Sequence, residues 1–356
     1  MASNIGQINN QNLKPERSKA YEFGIEADFF NRRLGLDVTY YNSTTEDLIT
    51  PVDISNATGF NTTIRNAGSL ENKGWEVQLR GTPIQTEDFT WNISANWTRN
   101  RSEVISLDKS LNNLPLARPQ GGITIDASPG QPYGAIRGKD YIYDNNGNKV
   151  VDEQGYYLLS ETNNEIIGNV QPDWIGGVQN TFKYKNISLG ILIDGQKGGD
   201  IFSLDTWYGM ATGLYKETVG NNDLGNPKRN ALANGGGIVL PGVTENGEPN
   251  RTRVAFDDYN HAYGYGRDAN KGHIYDASFV KLREVNLTYT FGEKIIDSTP
   301  LTNASISLIG RNLWIIHKNL PYSDPEAGLS SGNVQGYQSG AYPGIREVGA
   351  SLKLNF

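Results

Sequence analysis

The chain has 356 residues, of which 37% are hydrophobic and 20% charged, and its formal net charge is −7. It contains no run of about 18 apolar residues, which excludes a membrane-spanning helix. The acidic balance argues against nucleic acid as a partner. Without cysteine there are no disulfides and no thiolate metal sites. The three histidines (His261, His273 and His317) lack ligand spacing and are predicted to be surface or loop residues, so we expect no metal site and no cofactor.

The first 17 residues are rich in Asn and Gln and are expected to form a polar loop. They contain no apolar segment of the kind that forms the centre of a secretory signal peptide. For a secreted or outer-membrane protein, this predicts that the chain is not the whole precursor.

Apolar and polar residues alternate strictly in several stretches, the pattern of a strand with two different faces. Phe89 to Thr98 shows it most clearly, because every second residue there is apolar. Asn31-Arg32 separates the first two such stretches and predicts a hairpin. The nine predicted strands are 18–30, 34–40, 75–80, 89–98, 174–184, 187–194, 276–291, 304–313 and 347–356.

The connections between these strands alternate between short turns and long loops. The long ones cover about 44–68, 101–170, 196–274 and 317–343. This alternation predicts an antiparallel up-and-down β-barrel with one plain rim and one elaborate rim, and in bacterial barrels the long loops are extracellular. Inside the long loops, Asn146-Gly147 predicts a small hairpin outside the main sheet, and 201–215 predicts a helical turn.

Charged residues occupy the polar phase of the predicted strands, where a dry protein core would not accept them unpaired. They are Glu22, Glu26, Asp37, Glu76, Arg80, Asp194 and Glu284. A water-filled barrel accepts them, so the apolar phase is predicted to face lipid, with Phe89, Trp91, Ile193, Leu287 and Leu352 among its residues. The alternatives are a soluble, surface-exposed carbohydrate-binding β protein and a passive porin.

The last strand, Glu347 to Phe356, ends on an aromatic residue. The final strand of a bacterial barrel ends on the periplasmic side. Counting back over nine strands, the first one runs away from the cell exterior, so a strand running toward the exterior is expected before it. Nine strands in lipid would also leave costly unpaired edges. We therefore expect a C-terminal part of a larger closed barrel. A terminal Phe356 resembles the signal read by the barrel-assembly machinery, and the alternative is an interfacial anchor.

Six blocks together resemble the C-terminal barrel of the SusC/RagA-like TonB-linked outer-membrane transporters. They occur in the family's order and span most of the chain. The blocks are LKPERSKAYEFGIEADFF (13–30), NAGSLENKGWEVQLRG (66–81), IIGNVQPDWIGGVQNTFKYKNISLGILIDGQKGGDIFS (166–203), DASFVKLREVNLTYTF (276–291), GRNLWIIHKNLPYSDPEAG (310–328) and YPGIREVGASLKLNF (342–356).

The resemblance implies a 22-stranded plugged barrel in an outer membrane of Bacteroidota, with 18–356 as roughly its last nine strands and 1–17 as a loop remnant. It implies import of an oligosaccharide or peptide, a SusD-like surface lipoprotein lid, and TonB acting through an N-terminal plug region that this sequence lacks. Many relatives carry an acidic, calcium-like turn where this chain has DNNGN (144–148). With one carboxylate there, metal binding is not expected.

Aromatic and charged residues of the long loops are the candidate substrate-binding residues, because aromatic faces and polar groups together suit a polar ligand. The alternative is that they pack the loops against each other and against the lid. These candidates are Trp207, Tyr208, Tyr215, Arg251, Arg253, Asp257, Tyr259, Tyr263 and Tyr265. Adjacent carboxylates such as Asp257-Asp258 and Glu46-Asp47 are predicted to be solvated loop acids. No catalytic constellation emerges, so no enzyme is predicted.

Overall fold

The structure, a computed structural model, describes residues 6–256, 262–264, 266–297, 299–328, 330 and 332–356. Its largest sheet has nine antiparallel strands that pair in chain order, which confirms the predicted up-and-down β architecture. The strands are β1 (Arg17–Phe29), β2 (Leu34–Glu46), β3 (Gly68–Gln85), β4 (Phe89–Leu107), β5 (Trp174–Tyr184), β6 (Ile187–Lys197), β7 (Phe279–Thr290), β8 (Asn303–Lys318) and β9 (Glu347–Asn355).

Several strands run further than the alternation predicts. β3 and β4 have 18 and 19 residues, because the ladder between them extends to the pair Gly68 and Leu107, through stretches without the strict alternation. β7 instead begins three residues later than predicted, since Ile274–Asp276 pairs with Asp200–Phe202 in a separate sheet. Backbone pairing therefore decides the strand ends, and the apolar pattern shows only their centres.

The register places the apolar residues in rows across the sheet. One row runs through Ala27, Leu36, Leu79, Ala95, Val178, Ile193 and Leu282. Many side chains of this apolar face are exposed, among them Ile25 at 71% and Leu352 at 62%. A face of this kind is stable against lipid but not in water, because in water it would expose a large apolar surface.

Short turns join the strands at one rim. Phe30, Asn31 and Arg32 all have positive φ in the β1–β2 turn, and Arg33 N donates to Phe30 O at 3.2 Å. Lys185, with φ 49°, closes the β5–β6 turn. The opposite rim, where the connections β2–β3, β4–β5, β6–β7 and β8–β9 begin and end, is called the long-loop rim below.

The long connections fold into small sheets of their own. One joins Gln7–Ile8, Thr62–Asn66 and Ile49–Asp53, and another joins Glu165–Asn169, Ala135–Gly138, Thr124–Ala127 and Leu114–Ala117. A third joins Ile274–Asp276, Asp200–Ser203 and Tyr337–Gln338, and two pairs join Val150–Val151 with Val243–Thr244 and Ile238–Val239 with Arg253–Val254. Asp144 N–H donates to Asn148 O at 2.9 Å, so the turn around Asn146-Gly147 forms as predicted.

Helices are few. α1 (Leu204–Ala211) forms within the stretch predicted to hold a helical turn, and α2 (Glu293–Ile296) lies between β7 and β8. Single 3₁₀ turns occur at Asn56–Thr58, Lys216–Thr218, Leu232–Asn234, Asn270–His273 and Pro325–Gly328. Within the described ranges, no helix has the length and apolarity required to cross a membrane.

The buried apolar side chains lie mainly in the long connections. One cluster joins Ile123, Ile136, Ile167, Phe202 and Leu204, and Phe202 and Ile136 are completely buried. The long connections are therefore an ordered structure with their own core.

Candidate functional site

The polar face of the nine-stranded sheet, opposite the apolar face, carries charges that pair across strands. Arg80 Nη2 lies 3.0 Å from Glu26 Oε1, although β2 runs between their strands. Gly35 makes this contact possible, because a Cβ there would lie 2.8 Å from the Arg80 guanidine. Arg311 and Glu284 pair at 2.9 Å between neighbouring strands. Charges on the predicted polar phase thus compensate one another within the sheet.

A bulge in β7 concentrates charge on this face. The ladder with β6 shifts between Leu192 and Ile193, so Arg283 has no partner residue opposite it. Arg283 Nε donates to Asp194 Oδ2 at 2.9 Å, and its two terminal nitrogens donate to the two Glu326 oxygens, each at 2.9 Å. Such a bidentate pair fixes geometry as well as charge.

Lys281 completes the cluster. Its ammonium group donates to Asp324 Oδ1 at 2.7 Å and contacts Glu326, and the residue is only 3% exposed. Burial acts to raise the pKa of Glu326, but hydrogen bonds from Arg283 and Lys281 outweigh it and hold that pKa below its ordinary value. We call this group of Asp194, Lys281, Arg283, Asp324 and Glu326 the β7 clamp, since it fixes the β8–β9 connection to the sheet.

Helix α1 holds two of the predicted ligand residues. Ser203 caps the helix, accepting a hydrogen bond from Thr206 N at 3.1 Å. Trp207 packs on Phe202, with ring centroids 6.3 Å apart. Tyr208 accepts a hydrogen bond from Gln120 Nε2 at 2.7 Å. Both rings are half-buried and in contact with neighbouring connections.

Tyr215 stacks on Tyr322 with ring centroids 4.1 Å apart and an interplanar angle of 14°. Tyr322 donates its hydroxyl hydrogen to Glu217, at 2.6 Å from Oε2, and this bond raises the pKa of Tyr322 to about 12. Tyr322 is 47% exposed. The pair forms an aromatic surface with a carboxylate beside it. Sequence reasoning missed Tyr322, and the available signal was an aromatic residue in a long loop.

A second group of predicted residues is separate from α1. Arg253 donates to Asp223 Oδ2 at 2.7 Å and to Gly237 O at 3.2 Å. Tyr263 packs edge-on against Phe256 at 5.2 Å, and burial raises its pKa. Both therefore hold their own connection together. Arg251 is exposed. The remaining candidates lie outside the described residues: Asp257, Tyr259 and Tyr265.

A buried polar chain links three connections. Tyr141 donates to Asp268 Oδ1 at 2.5 Å, His273 Nε2 lies 3.1 Å from Asp268 Oδ2, and His273 Nδ1 lies 3.0 Å from Thr206 Oγ1. His273 lies in a long connection, which agrees with the prediction of a surface or loop residue, and it is buried there, at 2% exposure. The order Thr–His–Asp is that of a hydrolytic triad. However, Thr206 is itself 2% exposed and donates to Ser203 O, so the chain ties segments together.

Several cavities lie near the long-loop rim. One of about 660 Å³ lies between Ile49–Asp53 and the β4–β5 connection, with Asp53, Asn113, Arg118 and Asn163 in its lining. Another, of about 370 Å³, opens on the polar face and is lined in part by Asn72, Asn100 and Tyr133. Amide, hydroxyl and aromatic groups in these linings suit uncharged polar ligands.

The turn at 144–148 uses its single carboxylate internally. Asp144 Oδ1 accepts backbone N–H bonds from Asn146 and Asn148, each at 2.8 Å. The Asn148 side chain also donates to Asp144 Oδ2 at 2.9 Å; this bond lowers the pKa of Asp144 most, and the backbone bonds lower it further. The carboxylate shapes an Asx-type turn.

At the end of the chain, β9 pairs with β8 from Glu347 to Asn355. Phe356 follows the last paired residue and is 82% exposed. Val348, Leu352 and Leu354 are exposed on the same strand, so the last strand contributes to the apolar face.

An antiparallel sheet with an exposed apolar face, a charge-paired polar face and long connections at one rim defines an outer-membrane β-barrel protein. Residues 1–174 match the family model described as TonB dependent receptor-like, beta-barrel. TonB-dependent receptors P3 and P26 of Formosa agariphila are both 26% identical to this chain. The matches cover 98% and 99% of this chain and 35% and 36% of the relatives' own lengths.

SusC of Bacteroides thetaiotaomicron, named a TonB-dependent receptor, is 30% identical over 51% of this chain and 19% of its own length. The solved RagAB peptide importer in its closed-closed state has a TM-score of 0.71 and 24% identity, covering 96% of this chain and 35% of that chain. P3 and P26 match nearly all residues of this chain, and the chain thus spans about a third of the length of these curated relatives. It belongs to the TonB-dependent receptors, is of the SusC/RagA-like type, and is located in the outer membrane.

Proposed function

We propose that this chain is the C-terminal barrel part of a TonB-dependent importer that takes up an oligosaccharide or, as the closest alternative, a peptide. The supporting observation is a sheet with an apolar exposed face and a charge-paired polar face in a chain whose relatives, along 98% of its length, are named TonB-dependent receptors. The polar face would line the lumen and the apolar face would contact lipid.

The substrate would bind at the long-loop rim. Tyr215 and Tyr322 offer an aromatic surface, and Trp207 and Tyr208 lie on the helix next to it, because the Tyr215 ring lies against Gly209 of α1. The cavity with Asn72, Asn100 and Tyr133 offers further amide groups near the same rim. Arg251, Arg253, Asp257, Tyr259, Tyr263 and Tyr265 remain candidates from the sequence, with Arg253 and Tyr263 acting through loop packing.

The proposal includes three protein partners: a surface lipoprotein, TonB and the barrel-assembly machinery. A SusD-like surface lipoprotein would cover the long-loop rim, where Leu214, Val219 and Leu224 are 80%, 52% and 58% exposed. TonB would act through a plug region outside this chain. The barrel-assembly machinery would read Phe356, and deleting Phe356 from the full-length protein should impair assembly far more than ligand affinity. The proposal includes no catalytic role, since the buried Thr206–His273–Asp268 chain offers no accessible nucleophile.

The test is uptake by cells. Cells of the native organism that carry or lack the gene are given labelled oligosaccharides or labelled peptides, with and without a functional TonB protein. The proposal expects uptake of one class that requires both the gene and TonB. Uptake that needs the gene but persists without TonB would instead indicate a passive porin. Unchanged uptake without the gene would contradict an import role.

The binding surface is tested by Tyr215→Ala with Tyr322→Ala. Loss of both rings should raise the concentration for half-maximal uptake by about tenfold, since an aromatic contact contributes about 0.5–1.5 kcal/mol. Tyr342→Ala is the matched control, because Tyr342 is 96% exposed in the β8–β9 connection. An equal effect of the control would show that the Tyr215–Tyr322 surface is not part of the binding site.

A further inference from the structure

The apolar face contains a trough near the long-loop rim. One cross-strand row runs through Val77, Trp97, Gly176, Gly195 and Val280. The two neighbouring glycines have no side chains, so the row is depressed at its centre. The resulting cavity has a volume of about 440 Å³, and its walls include Leu79, Ala95, Val178 and Ile193. Its lining is almost wholly apolar.

Basic residues lie directly above this trough. Arg99 pairs with Trp75 two residues beyond Trp97, and Lys197 pairs with Trp174 two residues beyond Gly195. Because strand residues two apart share a face and lie about 7 Å apart, both cations are next to the trough on its long-loop side. Both are exposed. They flank Trp174, which also lines the trough.

The charges around this row are unevenly compensated. Lys197 lies 3.6 Å from Asp276, and further toward the rim Lys73 pairs with Glu71 and Arg101 pairs with Asp173. Within the part of the chain that the structure describes, no carboxylate lies within 4 Å of the Arg99 guanidinium group. An uncompensated cation beside an apolar membrane-facing surface is costly unless an anion accompanies it.

We propose that this trough binds one anionic, phosphate-bearing lipid of the outer membrane. An acyl chain would lie over Gly176 and Gly195, and the headgroup phosphate would contact Arg99 and Lys197. Arg is well suited to phosphate because its guanidinium forms paired charge-assisted hydrogen bonds. Trp75 and Trp174 lie in the same row, and tryptophan is enriched at the depth where acyl chains meet headgroups. This inference does not depend on the imported substrate.

A lipid is favoured over a protein partner by the combination of groups. The trough lies on the face that contacts lipid, and the cations border it only on the long-loop side. A lipid has the same order along the membrane normal, with a charged group above an apolar chain. A second protein would require an extended complementary surface, whereas this feature is a single narrow depression with a charged end.

The test is a lipid titration of the delipidated protein in detergent, followed by native mass spectrometry. Phosphatidylglycerol should bind more tightly than phosphatidylcholine. Arg99→Gln with Lys197→Gln should weaken phosphatidylglycerol binding by roughly thirtyfold, since each basic residue near an anionic headgroup contributes about fivefold. Arg32→Gln with Lys185→Gln is the matched control, as it removes two charges at the opposite rim and should leave binding unchanged.

A second variant tests the trough separately from the charges. Substituting either glycine would disturb the strands, because a Cβ at Gly195 would lie 2.4 Å from Phe279 O. Ala95→Phe fills the trough from the next row and should weaken binding with both cations intact. Inorganic phosphate should not displace the lipid. Equal binding of the two lipids, or unchanged binding in both the charge variant and Ala95→Phe, would overturn the proposal, and displacement by phosphate would show an anion site without a lipid chain.

Discussion

The nine-stranded sheet and the long connections of this chain are stabilised in different ways. In β1 all but one of the 13 residues are exposed, and stability comes from ladder hydrogen bonds and the lipid that the apolar face contacts. In the connections, Phe202 and Ile136 are completely buried and polar groups pair over long distances in sequence. One chain therefore contains a sheet suited to lipid and connections with a buried core of their own, and the β7 clamp joins the two regions.

The largest expected effect is at that junction. Lys281→Ala removes a buried cation from Asp324 and Glu326, and we expect the free energy of unfolding to fall by about 3–5 kcal/mol. Urea unfolding in detergent, followed by tryptophan fluorescence, measures it. A loss below about 1 kcal/mol would mean that the connection is held to the sheet by other contacts.

Next in size is the buried polar chain of the connections. Tyr141→Phe deletes the hydroxyl that donates to Asp268, which should cost about 1–3 kcal/mol because a buried acceptor loses a partner. Hydrogen exchange of the segments around 141 and 268–273 should increase. Tyr143→Phe is the control: its hydroxyl bonds Asp140 at 3.1 Å, and it is 43% exposed. Equal effects of the two variants would show that burial does not distinguish these bonds.

Acid should loosen the junction. The folded-state pKa of Glu326 lies below its ordinary value of 4.5, so its contribution to stability is fully present above about pH 4.5 and is lost as pH falls through the folded pKa. We expect pepsin to cleave 319–328 faster as the pH is lowered below that value. Glu326→Gln should remove this pH dependence. If the variant kept the same acid response, another carboxylate would be responsible.

The smallest effect is expected within the sheet. Arg80→Ala breaks the pair with Glu26, whose side chains are 51% and 67% exposed. Exposed pairs contribute about 0–1 kcal/mol, so urea unfolding should shift little. A loss as large as that of Lys281→Ala would show that the polar face is less hydrated than its exposure indicates.

The sheet could be predicted because its information is local. The side-chain period of two identifies the faces, and Leu287 lies on the apolar phase as predicted, opposite Leu189 in the ladder. The β7 bulge at Arg283 could not be predicted, since it is visible only in the pairing with β6 and β8.

The candidate site depends on contacts that leave no local pattern. Ser203 bonds Gln338 across 135 residues, and Glu217 bonds Tyr322 across 105. Aromatic enrichment drew attention to Trp207 and Tyr208, but it could not show that Trp207 packs on Phe202. The functional roles assigned to these residues remain predictions.

The β7 clamp has a practical consequence for labelling. It holds the β8–β9 connection at Asp324 and Glu326, whereas Val334, further along the same connection, is 41% exposed. The chain contains no cysteine, so a cysteine at position 334 would be a unique attachment point for a fluorophore. Such a probe lies beyond an anchored segment, and it would report on events at the long-loop rim while the sheet beneath it stays in place.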